Sequence, residues 1–513
     1  MDRKLAITAA VLLLSFIVYI LYLGVTVSKP IIFGDEGFHA EVSKWIGENG
    51  IYPKWYPLFY DTESSKGGFL RPPLLYMVFS GFALPGWNEL VVKLVIPLFS
   101  VLTALILFLW VRELISPEAG LFAALLFLMI PSQVTYAVLF YSDGLFLLTA
   151  MMSIFFFHKY IKTERPLFFS LTAVFTALSL LTKTSGPVML VFFLLYPLLT
   201  TDRKKYFMIG LKLILVIFIL MTPWFIRNFA LYGSPTCDNF PIVPRFFSSA
   251  GCNLGQPEQP QQSFIGRIAQ VGSEAEFIKF GLLNFFSFAY GNPLILILIV
   301  SGLALGLMNR NNYTSIPFAF LLASALLFKF ATGRVEDAAR YVLPFIIPVS
   351  VASSFYVSRL LSFEKKHFMY AGIITIVAFA FIIAQPGLAK ISVMYNVKTF
   401  SPAFIEANQW LSLNTPKDSV ILSLWTAATV YHSDRRAMWS VSELPDILLS
   451  GTDEKTLPPL RKHGVDYILV AKFSISDQAF EQNYPTKFIN YIQSSSHFKK
   501  VFENADTAIF QVV

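Results

Sequence analysis

Long apolar stretches alternate with short polar connections over roughly the first three quarters of the chain. The first stretch, Leu5 to Val27, has no charged residue and is long enough to cross a hydrocarbon core of about 30 Å. Similar stretches follow at residues 90–111, 119–139, 143–157, 166–182, 187–200, 207–226, 281–308, 315–331, 341–361 and 368–385. The pattern predicts an all-α polytopic membrane domain with about eleven transmembrane helices.

The pattern changes after about Lys390. Stretches typical of helices, such as "PAFIEANQWLSL", there alternate with short β-rich runs such as "VDYILVAKF" and "TAIFQVV". This alternation predicts a small α/β domain outside the membrane. We therefore expect a membrane domain over residues 1–389 and a soluble domain over residues 390–513.

Basic residues in the connections predict the orientation. With Arg3 and Lys4 in the cytoplasm, every second connection carries Lys or Arg, as the positive-inside rule requires. The same orientation places a first outer loop (28–88), a second outer loop (227–280) and the C-terminal domain on the extracytoplasmic side. The charge pattern therefore predicts a plasma-membrane protein whose polar loops and C-terminal domain lie outside the cell.

Composition agrees with a membrane protein and excludes some functions. The chain is 55% hydrophobic and only 14% charged, whereas soluble domains carry roughly 25% charged residues. Its formal charge of +8 comes from scattered Lys and Arg residues, so no basic stripe predicts nucleic-acid binding. There is no GxGxxG nucleotide motif and no Cys/His cluster with metal-ligand spacing. Cys237 and Cys252 share the second outer loop, and whether they are bonded is open.

Two adjacent carboxylates stand just after the first span, in "KPIIFGDEGFHAEVSKW". The stretch from Asp35 to Ile46 has apolar residues at helical spacing, which predicts an amphipathic helix on the membrane surface. Two interpretations follow. Asp35 could cap this helix, with Glu36 favoured by the helix dipole. Alternatively, the acids could act on a substrate.

Further charges fall on the predicted outer face. Asp143 begins the fourth span, and the basic residues of this face are Arg71, Lys183, Arg227, Arg334 and Arg340. Each taken alone has a structural explanation, since basic residues often mark helix ends and Asp143 could be a cap. Acids and cations together favour a site for an anionic lipid headgroup and a protonatable acceptor. His39 and Tyr141 lie beside the acids and are added as substrate-binding candidates.

The motifs "GDEGFHA", "RPPLLYM", "YSDGLFLL", "LLTKTSGPVML", "TPWFIRNFALYGSPT" and "ARYVLPFIIP" occur in this order. This order resembles the C-type superfamily of integral-membrane glycosyltransferases, nearest to the protein O-mannosyltransferases and the lipid A aminoarabinose transferases. The resemblance covers roughly residues 1–360. It implies a polyprenyl-phosphate sugar donor, an extracytoplasmic acceptor and an inverting mechanism. The tail segment "SLWTAATVYH" differs from the WWDYG-type motif of oligosaccharyltransferases, which disfavours that branch.

Carried over to this chain, the resemblance implies that Asp35 is the catalytic carboxylate and Glu36 its neighbour in an Asp-Glu pair. Asp143 matches the second acid, and Arg71 matches a basic residue before a double proline. The chemistry agrees, because transfer needs a base for the acceptor proton and cations for the phosphate, such as Arg71, Lys183 and Arg340. Phosphate is a good leaving group, so no general acid is required.

Two alternatives stay open. A secondary transporter or flippase of lipid-linked sugars would share the membrane class, but would place charges near the bilayer midplane. No cofactor is required by the predicted chemistry, although Asp35, Glu36 and Asp143 could hold Mg²⁺ or Mn²⁺ through their oxygens. The sugar and the acceptor, which could be a protein, a glycolipid or a glycan, are not predicted.

Overall fold

The protein's structure, a computed structural model, describes most of the membrane domain and of the C-terminal domain. The described residues are 3–31, 35–53, 72–84, 86–232, 235, 300, 304, 311–331, 340, 343–361, 384–393, 402–438, 451–471 and 486–513. Two predicted spans, 281–308 and 368–385, fall almost wholly outside these ranges. Arg71, Arg334, Cys237 and Cys252 also lie outside them.

Helices make up the described part of the membrane domain. In chain order they are α1 (Arg3–Val27), α2 (Glu36–Asn49), α3 (Leu74–Ser80), α4 (Glu89–Leu114), α5 (Pro117–Met129), α6 (Pro131–Ala137), α7 (Ser142–Thr163), α8 (Pro166–Leu180), α9 (Val188–Leu195), α10 (Arg203–Tyr232), α11 (Ser315–Ala331), α12 (Leu343–Leu361) and α13 (residues 384–393). A short 3-10 helix, Tyr196–Leu199, continues α9. Apart from the two segments outside the described ranges, each predicted apolar segment coincides with helix.

Within the described ranges, four helices are long and apolar enough to cross a membrane: α1, α4, α7 and α10. The bent pair α5 and α6 makes a fifth if it counts as one span, and α8, α9, α11 and α12 are shorter apolar helices. The structure therefore supports a polytopic, mostly helical membrane protein. The number eleven stays a prediction.

Of the four long apolar helices, α7 lies deepest inside the bundle. It is 67% buried within the protein, whereas α1 and α10 are each 22% buried. Most exposed side chains of α1, and of α10 beyond Lys212, are apolar, Phe16 and Phe229 among them, as expected of surfaces that face lipid. A residue in the first turn of α7 is thus surrounded by protein, and Asp143 occupies that place.

One predicted span is broken. The segment 119–139 was expected to be continuous, but the chain bends by 68° between α5 and α6. Pro131 explains the break, since proline cannot donate to the preceding turn and favours the first position of a new helix. The break directs the chain towards Phe140 and Tyr141, the residues that precede α7.

The C-terminal domain is a mixed sheet covered by helices. Its elements are α14 (Pro402–Asn414), β1 (Val420–Ser423), α15 (Thr426–Ser433), β2 (Arg436–Met438), α16 (Asp453–Lys462), β3 (Val465–Ala471), α17 (Thr486–Ser494), β4 (Phe498–Glu503) and β5 (Thr507–Val512). The strand order is β2-β1-β3-β5-β4, with parallel pairing of β1 to β2 and β3 and antiparallel pairing of β5 to β3 and β4. The α/β character expected of the tail is confirmed.

Candidate active site

Asp35 lies immediately before the surface helix α2, which begins at Glu36 as the apolar pattern predicts. Its backbone is helical, with φ −79° and ψ −4°, and its side chain makes no capping hydrogen bond. The Asp35 carbonyl accepts from the His39 N–H at 3.1 Å, but the carboxylate faces Arg340 instead, with 3.5 Å between Oδ2 and Nη1. The capping alternative for the Asp35 carboxylate is therefore wrong.

Glu36 fastens the start of α2 to the membrane domain. Its Oε1 accepts a hydrogen bond from the Phe140 backbone N–H at 2.6 Å, and the residue is buried. Phe140 belongs to the segment between α6 and α7, so this bond joins α2 to the chain just before Asp143. A carboxylate accepting from a backbone N–H forms one of the stronger hydrogen bonds in proteins. Glu36 thus holds Asp35 close to the second acid.

Asp143 binds two cations. Lys183 Nζ donates to its Oδ1, and Arg340 Nε donates to its Oδ2 at 2.9 Å. The hairpin of α7 and α8 explains the first contact, because Lys183 follows the end of α8 and returns to the level at which α7 began. Asp143 is fully buried and Lys183 nearly so. A buried carboxylate requires such partners, since an unpaired buried charge is costly.

Arg340 connects the two aspartates. Besides its bond to Asp143, it reaches Asp35, and its guanidinium lies over the Tyr141 ring at 4.7 Å from the centroid. The Asp35 backbone N–H donates to the Tyr141 hydroxyl at 3.2 Å. Arginine suits this place because its planar group presents several donors in fixed directions and also stacks on aromatic rings. Tyr141 and Arg340 therefore fix Asp35 from two sides.

The site has a buried part and an accessible part. The side chains of Asp143 and Lys183 are 1% and 6% exposed, whereas those of Asp35 and Arg340 are 29% and 19% exposed. The formal charges of the two aspartates, the lysine and the arginine sum to zero. A molecule that approaches the site meets Asp35 and Arg340 first. The buried charges of Asp143 and Lys183 contribute to the electrostatic potential at that point.

His39 lies one helical turn along α2. Its Nδ1 is 3.1 Å from the Tyr76 hydroxyl, and its ring is edge-on to Tyr141 with the centroids 5.9 Å apart. His39 is buried. It therefore joins the cluster through Tyr141; Tyr76 was not among the predicted residues. The only sequence signal for Tyr76 is its place in the motif "RPPLLYM".

Arg227 lies at a different place from the other cations. Its Nη2 donates to the Pro53 carbonyl at 3.0 Å, and its guanidinium lies between the rings of Tyr52 and Trp224, at 4.8 and 4.7 Å from their centroids. Tyr52 in turn meets Tyr76 edge to face. A row of aromatic rings thus leads from Arg227 through Tyr52 and Tyr76 to His39.

The described residues provide no obvious cation site. Within them, no group of three or more His, Cys, Asp or Glu side chains is arranged to hold a metal ion. A cation placed between Asp35 and Asp143 would meet the guanidinium of Arg340, which already contacts both. In this arrangement the carboxylates of Asp35 and Asp143 do not fit a divalent ion.

This arrangement of helices matches known structures over nearly the whole chain. ArnT from Cupriavidus metallidurans in the apo state aligns with 12% identity and a TM-score of 0.61, covering 98% of this chain and 97% of that one. The oligosaccharyltransferase of Archaeoglobus fulgidus in complex with Zn and sulfate aligns with 13% identity and a TM-score of 0.65, covering 95% and 71%. The arabinofuranosyltransferase AftD from Mycobacteria aligns with 14% identity and a TM-score of 0.54, covering 97% and 41%.

The fold is that of the C-type integral-membrane glycosyltransferases. Residues 71–226 also match the family model described as dolichyl-phosphate-mannose-protein mannosyltransferase. No curated protein matches the chain. The chain therefore shares the fold of these enzymes, and the resemblance seen in its sequence motifs is confirmed.

Proposed function

We propose that the protein moves a sugar from a polyprenyl-phosphate donor to a hydroxyl group of an extracytoplasmic acceptor, with inversion at the sugar carbon. One observation carries the proposal: an accessible carboxylate, Asp35, shares an arginine with a fully buried carboxylate, Asp143. Similar proteins support the donor class. ArnT from Cupriavidus metallidurans has been solved bound to undecaprenyl phosphate, and the Archaeoglobus fulgidus AglB with a dolichol-phosphate and an inhibitory peptide.

Asp35 is the general base of this proposal. A base has to reach the acceptor hydroxyl, and Asp35 keeps 29% of its side chain exposed while Asp143 keeps 1%. Both oxygens of Asp143 already accept from cations, so its part is to hold Lys183 and Arg340 in place. Glu36, bonded to Phe140, supports Asp35 from the next position along the helix.

The step balances without a covalent intermediate. Asp35 takes the proton of the acceptor hydroxyl, whose oxygen forms a bond to the anomeric carbon of the sugar. The bond from that carbon to the phosphate oxygen breaks, and polyprenyl phosphate leaves with its electron pair. A single displacement inverts the anomeric centre, as it does in hydrolases that use one base and one attacking oxygen.

Arg340 binds the donor phosphate in this proposal. It is the described cation of the cluster with the more exposed side chain, at 19% against 6% for Lys183. As the phosphate gains charge, a positioned cation stabilises it, an effect worth a factor of about 10² or more. Arg71 and Arg334, which lie outside the described residues, are proposed to assist, and the polyprenyl chain would lie along the apolar spans.

The test compares Asp35→Asn with Asp418→Asn in the purified full-length protein. Asp418 is exposed in a turn of the C-terminal domain, so it controls for loss of a carboxylate. Sugar transfer from undecaprenyl-phosphate mannose, binding of undecaprenyl phosphate and thermal melting are measured for each. We expect Asp35→Asn to lose transfer by a factor of about 10² or more while binding and melting stay near those of the wild type.

Transfer by Asp35→Asn at the wild-type rate would move the role of base to Asp143. Vectorial movement of an intact lipid-linked sugar across proteoliposomes, without transfer, would favour the transport alternative. The bend between α5 and α6 is a feature that transporters share. The described charges that converge on Arg340 lie at the outer end of α7, however, which is where transfer to an outer acceptor requires them.

The acceptor and the sugar are questions of substrate identity. Mass spectrometry of surface glycans, glycolipids and glycoproteins in a deletion strain identifies the product that disappears. We propose the plasma membrane as the location, with the site and the C-terminal domain on the outer side. A protein, a glycolipid or a glycan that carries an exposed hydroxyl is the expected partner.

A further inference from the structure

The C-terminal domain contacts the surface helix that begins beside Asp35. Helix α15 packs along α2, and a Cβ added to Gly37 would overlap the backbone carbonyl of Ala427. Lys44 Nζ, two turns further along α2, is 3.3 Å from Oδ1 of Asp434, at the end of α15. Both pairs are seven residues apart in their own helices, so α2 and α15 run in the same direction and in register.

A hydrogen-bonded chain joins α15 to the segment before Asp35. The Tyr431 hydroxyl accepts from Trp87 Nε1 at 2.8 Å and donates to Oε2 of Glu89 at 2.9 Å. The other oxygen of Glu89 accepts from the Ile31 backbone N–H at 3.3 Å and pairs with Lys93 at 2.7 Å. Glu89 therefore ties the tail domain to a residue four positions before the aspartate.

The neighbouring residue of α15 makes a second link. His432 forms a hydrogen bond with the Ile31 backbone, and burial lowers the pKa of His432 to about 4, which keeps the imidazole neutral at ordinary pH. Burial likewise raises the pKa of Tyr431, so its hydroxyl keeps the proton that it donates to Glu89. Neither His432 nor Tyr431 therefore changes its protonation near neutral pH.

The interface has the features of a fixed joint. Its contacts flank Asp35 on both sides in the sequence, with Ile31 before it and Gly37 after it. Tyr431 also packs against the apolar cluster that contains Ile31, Phe79 and Phe140, the residue that binds Glu36. The network therefore reaches the chain on either side of Asp35.

We propose that Tyr431 is a positioning residue, through which the C-terminal domain sets the place of Asp35 by way of Glu89 and Ile31. The inference rests on the proposed function of Asp35. The C-terminal domain thus does more than cover the outer loops, because it holds one carboxylate at a set distance from the arginine that the membrane domain holds. A network of this kind is worth more than its separate bonds, since each member orients the next.

Two conservative variants test the proposal in the full-length protein in lipid nanodiscs. Tyr431→Phe removes one hydroxyl, and Tyr491→Phe makes the same change at a tyrosine of α17 that donates to Asp453 on the exposed side of the domain. Hydrogen–deuterium exchange of residues 28–31 and 36–49 is measured without substrate. We expect exchange about tenfold faster in Tyr431→Phe and unchanged in Tyr491→Phe, as loss of roughly one hydrogen bond predicts.

Kinetics separate positioning from general stability. For transfer from undecaprenyl-phosphate mannose we expect kcat of Tyr431→Phe to fall about tenfold, with the donor KM within about twofold of the wild type. Gly37→Ala, which pushes α15 away from α2, should show the same split. A variant that melts at a lower temperature but keeps the wild-type kcat would overturn the proposal, because a merely structural residue behaves in this way.

The exchange measurement keeps this inference distinct from the proposed function. Unchanged exchange of residues 36–49 in Tyr431→Phe overturns the positioning role, whatever the activity. Faster exchange in a protein whose wild type transfers no sugar from a polyprenyl-phosphate donor supports the anchoring of α2 and removes the proposed reaction instead.

Discussion

Arg340 donates from Nε to Oδ2 of Asp143, a residue 197 positions earlier in the chain, at 2.9 Å. The bond joins the region just before α12 to the first turn of α7, and the same guanidinium reaches Asp35. The carboxylates of Asp35 and Asp143, at the starts of two separate helices, thus share the guanidinium group of Arg340. The relationship explains how an accessible carboxylate and a buried one are held close together.

The shared guanidinium predicts the result of Arg340→Lys. A lysine carries one compact ammonium group and cannot present fixed donors to Asp35, Asp143 and a phosphate together. Transfer should fall by a factor of about 10² and donor binding should weaken, while the membrane domain stays folded. Arg359→Lys, in the last turn of α12, is the matched control and should behave as the wild type. Equal transfer by the two variants contradicts the role of Arg340.

The buried pair predicts a thermodynamic result for Asp143→Asn. The substitution leaves Lys183 buried without its counter-charge, which should lower the free energy of unfolding by about 3–5 kcal/mol. Adding Lys183→Met removes the orphaned charge and should restore most of the loss. Thermal melting of the single and double variants checks this. A double variant that melts below the single variant would show that the pair stabilises in some other way.

Glu36 should behave differently from Asp35, because its oxygen serves as an acceptor for a backbone N–H. Glu36→Gln keeps an oxygen at that place and should retain transfer within about threefold, whereas Glu36→Ala leaves the Phe140 N–H without its partner and should cost about 1–3 kcal/mol. Melting curves and transfer rates of the two variants are compared. Complete loss of transfer in Glu36→Gln would mean that its charge takes part in the reaction.

The sequence predicts the helices of the membrane domain well because a span must be apolar over its whole length. Segments such as 90–111 and 315–331 coincide with α4 and α11 for this reason. The bend at Pro131 was missed, although the proline was visible, because apolar residues on both sides gave one continuous stretch. Hydropathy indicates how readily a segment enters an apolar environment and contains no information about the direction of the helix axis.

The candidate site residues were chosen because the predicted topology puts them on one face of the membrane. Which acid pairs with which cation was not predicted. Topology places Asp35, Asp143, Lys183 and Arg340 at one membrane face, and the structure brings all four together. Which cation meets which acid depends on the neighbours of each helix, which a single sequence does not encode in any local pattern. The link from Tyr431 to Glu89 spans 342 residues and was invisible for the same reason.

A buried acid at the joint between the domains predicts a pH dependence. Burial raises the pKa of Glu41 from 4.5 to about 7; Lys44 opposes the shift, and Asp434 and Glu48 add to it. Between those values the folded protein holds a proton that the unfolded chain has lost, so stability should fall as pH rises from about 4.5 to about 7. Below that window the protonation of Glu41 has no effect on stability.

The variant Glu41→Gln should lack this dependence. It should melt close to the wild type near the lower end of the window and at a higher temperature above pH 7, since it never carries the buried charge. Melting curves at a series of pH values check the expectation. Glu454→Gln, at an exposed position in the first turn of α16, is the control and should follow the wild type. Parallel curves for wild type and Glu41→Gln would mean that Glu41 is not protonated in the folded protein.

The predicted orientation is tested by labelling. In a variant with Cys237 and Cys252 replaced by Ser, Ser496→Cys should react with a membrane-impermeant thiol reagent in spheroplasts, since Ser496 is exposed on the C-terminal domain. Thr163→Cys, exposed at the end of α7, should be protected until the membrane is opened. The reverse pattern would place the site in the cytoplasm and exclude an outer acceptor.

The pairing of the four charges also has a consequence for synthesis. After Asp35, Asp143 is the next of the four to leave the ribosome; Lys183 follows Asp143 by 40 residues and Arg340 follows it by 197. During insertion the early acid can therefore be neutralised by Lys183 as soon as the α7 and α8 hairpin forms. Asp35 can remain solvated by water at the membrane surface until Arg340 has been synthesised. Each stage of assembly thus ends in a balanced pair, and the bilayer never has to accommodate a lone charge for long.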